Sequence, residues 1–308
     1  MALNVHPGYR GYAKIDGIIG NGFRFSDANI TAKQEIMAPD LIMGDWDHDA
    51  YTYGPITVDG SISGPVTETF ANASGIFGWG AKRTGTCGEL DAHDVTLYYY
   101  CGGSYARART FSDMYVNNMN FSCAAGDIAN FSIDVVAKSA GAWASTNPPT
   151  NLGTAGGAYQ AEKLVTWDQV SVTVSGSGPG ASAVIGTSPA WSNMDFTIGN
   201  NIETVYALNA GSGGVGSPDL FPFELVPGLR TITGTLTLYD IREVDGVTGW
   251  NTPVWSANTV TTLTFNIGAL SISMKVQLHR LEAASSVGPI NSTVGFTGVT
   301  HQTGSPWV

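Results

Sequence analysis

The sequence predicts a mainly β protein, and three observations carry that expectation. Charged residues make up 13% of the 308, about half the roughly 25% of an ordinary soluble domain. Long helices would therefore lack solvating charge for their outer faces. Glycine is abundant, at 39 residues, and the segments between Gly, Pro and Asn turns are rich in Thr, Val and aromatics, as strands are. Several of those segments alternate apolar and polar residues with a period of two. The 43% hydrophobic content, with 12 Phe, 12 Tyr and 8 Trp, supplies a core and argues against disorder.

The elements follow in chain order. Val66, Phe70, Ala73, Phe77 and Ala81 recur at helical spacing behind Pro65, which predicts one short helix with Pro65 in its first turn. Glu68 near its start and Lys82-Arg83 near its end suit the helix dipole. Tyr115, Met119, Phe121 and Cys123 are expected on one strand face, with Asn118, Asn120 and Ser122 opposite. A turn at Ala125-Gly126-Asp127 then leads to a return strand whose apolar face is Ala129, Phe131, Ile133, Val135 and Ala137. Leu270, Ile272, Met274, Val276 and Leu278 alternate with Ser271, Ser273, Lys275, Gln277 and His279 in the second half. Residues 175–180 and 211–216 read as mobile surface loops.

A boundary is expected at residues 139–161, a linker or loop without Asp, Glu, Lys or Arg that contains Asn147-Pro148-Pro149. Two β domains, 1–160 and 161–308, fit the usual domain size. Their charges are similar: 9 basic against 15 acidic residues in the first, 5 against 10 in the second. Ser61-Ile62-Ser63-Gly64-Pro65-Val66-Thr67 aligns without a gap to Thr231-Ile232-Thr233-Gly234-Thr235-Leu236-Thr237. Upstream of each stands a Pro-Asp-Leu step, Pro39-Asp40-Leu41 and Pro218-Asp219-Leu220, and the common order suggests duplication.

The net charge of -11 argues against gripping nucleic acid, which needs a basic footprint. The N-terminal residues lack a signal-peptide pattern and no apolar run is long enough for a membrane helix. Cys87, Cys101 and Cys123 form no CxxC and are expected as free, buried thiols in a reducing compartment.

Candidate chemistry is thin. Asp45-Trp46-Asp47-His48-Asp49 resembles the start of a calcium loop, but Ala50 and Ile56 stand where Gly and a bidentate acid belong. Gly211-Ser212-Gly213-Gly214-Val215-Gly216 matches GxGxxG, yet Ser217-Pro218 and Pro222 follow where a helix should start. Residues 75–82 only graze the P-loop pattern. His93 with Asp91, Asp94 and Cys101 lacks a nucleophile signature, and Tyr98-Tyr99-Tyr100 would split between the two faces of a strand. The expectation is no catalytic, cofactor-binding or metal-binding residue, and no enzyme.

Ile62-Ser63-Gly64-Pro65-Val66-Thr67-Glu68, then Val95-Thr96-Leu97-Tyr98-Tyr99-Tyr100-Cys101, then the stretch from Tyr115 to Asp127 resemble bacteriophage tail tube proteins. So does Pro227-Gly228-Leu229-Arg230-Thr231-Ile232-Thr233-Gly234. The resemblance covers most of residues 9–300 and is closest to long members with two tube domains in one chain. It implies two tandem β-sandwich or incomplete-barrel domains, at least the first with a short flanking helix. It further implies a structural virion protein, made in the host cytoplasm, assembling as a trimeric, pseudo-hexameric ring. Stacked rings would enclose a channel that DNA crosses as transient cargo. Implied partners are copies of itself and terminator, baseplate, tape-measure and sheath proteins, with no membrane and no cofactor. Alternatives are another tail component of the same fold, such as a baseplate hub or distal ring, or a β-sandwich carbohydrate-binding or adhesion module.

Overall fold

The computed structural model describes residues 10–17, 23–37, 52–72, 79–80, 83–84, 89–101, 105–146, 163–175, 191–206, 220–239, 260–284 and 291–299. The first half comprises β1 (Arg10–Ile15), β2 (Phe23–Phe25), β3 (Asp27–Met37), β4 (Thr52–Pro65), α1 (Glu68–Asn72), β5 (Arg83–Thr84), β6 (Glu89–Leu90), β7 (His93–Cys101), β8 (Tyr105–Ala124), β9 (Asn130–Ala140) and β10 (Ala144–Thr146). A 3-10 turn at Trp167–Gln169 opens the second half. It continues with β11 (Val170–Ser175), β12 (Trp191–Gly199), β13 (Ile202–Val205), β14 (Glu224–Pro227), β15 (Thr231–Tyr239), β16 (Val260–Ile267), β17 (Leu270–Ala284) and β18 (Asn291–Gly298). The protein is mainly β, as composition and alternation predict.

Fourteen strands share one hydrogen-bonded antiparallel network. Its first half contains the series β3-β4-β9-β8-β7-β1, with β2 added beyond β1 and β10 on β8, and its second reads β12-β15-β18-β17-β16-β11. Position for position, the two series connect the same way. β1 and β11 are each six residues long and flank β7 and β16 in turn. β8 and β17 each bulge against the returning strand, between Val116 and Asn118 and between Arg280 and Glu282.

Setting the two bulges side by side matches Asn118 with Glu282. The ladders then carry that match to Asp134 and Thr293, to Ser61 and Thr237, and to Asn29 and Asn193. Ser61 thus corresponds to Thr237 and not to Thr231, as the ungapped sequence match has it. An even shift leaves apolar and polar alternation unchanged, so periodicity alone could not reveal the slip.

Each half curls on itself. The chain bends at Ser26, whose N–H donates to the Ser63 carbonyl at 2.8 Å, so β2 pairs with β1 while β3 pairs with β4. Phe23 on β2 thereby meets Phe131 of β9 edge-on, at 5.6 Å between centroids. In the second half Phe196 of β12 stacks on Phe265 of β16 at 4.8 Å, although these strands are not neighbours in the sheet. Such contacts between opposing walls are the packing of a sandwich or incomplete barrel.

The helix is shorter than its predicted pattern. Pro65 ends β4 opposite Asn130 and does not begin the helix. Thr67 does so, its hydroxyl accepting from the Phe70 N–H at 3.1 Å, as an N-cap residue should. Trp79 and Gly80 are helical again, and 73–78 lie outside the described residues. Phe70 stacks on Phe131 at 4.3 Å and meets Phe23 and Phe121 edge-on.

Strand faces follow the alternation with one correction. Met119, Phe121 and Cys123 are buried, as are Ala129, Phe131, Ile133, Val135 and Ala137. Tyr115, expected beside Met119, faces away; Met114 and Val116 take the apolar side. The bulge inserts one residue at Asn117, which inverts the face of everything before it. Of the expected loop at 139–161, residues 144–146 form β10 against β8.

Candidate assembly site

The two halves meet edge to edge. Asn118, Asn120, Ser122 and Ala124 of β8 stand opposite Gly199, Thr197, Asp195 and Asn193 of β12. β8 can serve β12 because β7 occupies the same edge only up to Met114, while β9 occupies the other. At twenty residues, β8 is long enough for both neighbours.

The two faces of this seam differ in chemistry. On the dry side Phe121 and Phe196, directly opposite, stack at 5.2 Å, flanked by Met119 with Ile198 and Cys123 with Met194. On the wet side the Asn120 amide donates to Asp195 Oδ2 at 3.1 Å and to Thr197 Oγ1 at 3.0 Å. Asn118 donates to Asp134 at 3.2 Å. Burial pushes the Cys123 thiol up to about 11, so it stays protonated and inert at neutral pH.

The bulge anchors the seam's end. Asn200, fully buried, donates through its side-chain nitrogen to the carbonyls of Gly80 and Val116, at 2.7 and 2.9 Å. Its side-chain oxygen accepts from Arg230 Nε at 3.3 Å. Asn117 accepts the Ile202 N–H through its side chain and the Asn200 N–H through its carbonyl. One amide therefore ties together the helical residues 79–80, β8 and the start of β15.

A second tie runs through residues 163–166. The Val165 N–H donates to the Val66 carbonyl, and the Ala129 N–H donates to the Val165 carbonyl, both at 2.9 Å. The chain entering the second half thus bonds to the residue just after β4 and the residue just before β9. The buried cluster includes residues of both halves.

The wet face continues across the seam from β3 through β4, β9 and β8 to β12. Its register aligns Asp27, Asp59, Asp134 and Asp195 with Asn29, Thr31, Ser61, Ser132, Asn118, Asn120 and Thr197, and with Lys33 and Lys138. Lys33 pairs with Asp59 at 3.2 Å. Asn29, Thr31, Lys33, Asp59, Asn117 and Asp134 line a shallow depression there, together with the apolar Val135 and Val136.

The sequence-level candidates do not come together. His93 Nδ1 is 3.0 Å from the Asp16 carbonyl, and Asp94 accepts the Asp113 N–H, so both serve turns. Tyr99 is half-buried, meets Phe25 edge-on and donates to the Ala28 carbonyl; burial raises its hydroxyl's pKa. Asp45 to Asp49 and Gly211 to Gly216 lie outside the described residues. Among the described residues, no three His, Cys, Asp or Glu side chains are grouped to hold a metal. The seam itself was not read from the sequence; its only signal is the length of the alternating segment that becomes β8.

One protein-family model, described as phage tail tube protein, matches residues 7–298. No curated protein matches the chain.

Proposed function

The chain belongs to the phage tail tube protein family, and from that premise we propose that three copies close into a ring of six pseudo-equivalent sheets. It is a structural component of the virion, from a family that is not an enzyme class. Among the described residues no helix is long and apolar enough to cross a membrane. In the proposed assembly, residues 1–160 and 161–308 are the two ring-building domains, rings stack into a tube, and DNA passes along the bore.

The observation that carries this reading is the β8–β12 seam. Two sheets that share a six-strand order are joined edge to edge within one chain. An arrangement that joins unlike edges head to tail either closes as a ring or grows as a fibre. Closing it removes exposed strand edges, which otherwise invite aggregation. Terminator, baseplate, tape-measure and sheath proteins are the further partners in this reading.

We assign the wet face to the bore. Its Asn, Ser and Thr side chains and its excess of Asp over Lys offer DNA no basic footprint, so the polyanion slides and is not held. Negative-stain microscopy of purified protein tests the reading. Annuli or tubes of uniform diameter are expected. Monomers at every concentration, retained on a glycan column, would overturn it in favour of a carbohydrate-binding module.

A further inference from the structure

Resting on that ring reading, we infer that β17 of one copy pairs with β3 of the next, in a register that sets Ala284 opposite Lys33 and Glu282 opposite Glu35. The argument is one of correspondence. β8 leaves the residues after Met114 free of β7, and β12 fills that edge. β17 is held by β16 as far as Gln277 among the described residues. Among the described residues, Leu278–Ala284 has β18 on its other side and no strand on this one.

β12 joins β15 on one side and β8 on the other. Its counterpart β3 joins β4 alone among the described residues, and Ala32 to Glu35 are exposed. Besides the ends of the network at β2, β10 and β11, the described residues leave one acceptor edge and one donor edge unfilled. They are the same two edges that meet inside the chain.

Register follows from the same correspondence. Asn118 matches Glu282 and Asn193 matches Asn29, so Gly199 matches Glu35 and Thr197 matches Lys33. The internal pair Asn118–Gly199 then becomes Glu282–Glu35, and Asn120–Thr197 becomes Ala284–Lys33. The occupant is a second copy of this chain because only that copy carries the matching edge in the matching order. The pairing also accounts for the bulge at Arg280/Glu282. In β8 the equivalent bulge ends the β7 side and begins the seam.

Directly opposed strand residues have Cβ atoms about 4.5–5.5 Å apart, close to the reach of a disulfide. Lys33→Cys protein is mixed with Ala284→Cys protein and oxidised with diamide; Glu35→Cys with Glu282→Cys is the second pair. A cross-linked dimer is expected from each mixture and from neither protein alone, with peptide mapping to set aside native cysteines. Ala32→Cys with Ala284→Cys should not link, because adjacent strand residues face opposite sides. Rings visible by microscopy without a cross-link at either pair would overturn the register while leaving the ring. Cross-linked dimers without rings would uphold the pairing and overturn the ring.

Discussion

Phe121 and Phe196 stack across the seam with ring centroids 5.2 Å apart and planes 20° from parallel. One belongs to the first half, the other to the second, and Phe70 and Phe265 extend the contact on either side. The halves are therefore joined by backbone pairing on an aromatic ladder, not by a tether alone.

Truncating either ring should be severe. Phe121→Ala or Phe196→Ala is expected to cost about 3–5 kcal/mol in urea unfolding, as for other buried Phe. A double-mutant cycle should show a coupling of about 0.5–1.5 kcal/mol. Additive losses would mean that the rings act independently.

Asn200 is the corresponding polar anchor. Asn200→Ala removes both donors and the acceptor at once, leaving two buried carbonyls without this partner. A loss of roughly 2–4 kcal/mol is expected, since each stranded buried group costs about 1–3 kcal/mol. Thermal unfolding measures it, and a change below half a kcal/mol would show that water replaces the amide.

Gly234 lies beneath its cross-strand partner Phe296, and a Cβ there would overlap the ring's Cζ and stand 2.6 Å from the Asp195 carbonyl oxygen. Gly11 sits beneath Phe25 in the same way, and a Cβ there would overlap the ring. Gly234→Ala should destabilise by about 1–3 kcal/mol, the usual cost of overpacking. Pairing it with Phe296→Leu should return part of that loss in denaturant melts.

Cys123 gives a pH signature. Its folded pKa, about 11, lies above the 9.0 of an unperturbed thiol. The stabilisation is therefore fully present below pH 9 and is lost as pH rises through about 11. Compared with Cys123→Ala, the wild type should lose stability more steeply across that window. At pH 8 a maleimide should label Cys123 only after unfolding, as read by peptide mass.

Much of the strand plan was legible in the sequence. Alternation put Phe131, Ile133 and Val135 on one face and Ser271, Ser273 and Lys275 on another, because strand side chains alternate with period two. Gly126, at φ 87°, marked the hairpin turn, since glycine enters that region without a Cβ clash. The family was legible too, through an ordered series of short motifs.

Register and partnership were not. Backbone hydrogen bonds are alike at every residue, so nothing in the alternation tells β8 to carry β7, β9 and β12 on its two edges. A bulge adds one residue without a distinctive signature: Asn117 turned Tyr115 off the core face, and an even slip hid the match of Ser61 with Thr237. The sequence by itself determined which residues are strand, which faces are apolar and which family the chain resembles. Only the tertiary structure decided which edges meet, because that choice rests on contacts between residues far apart in the chain.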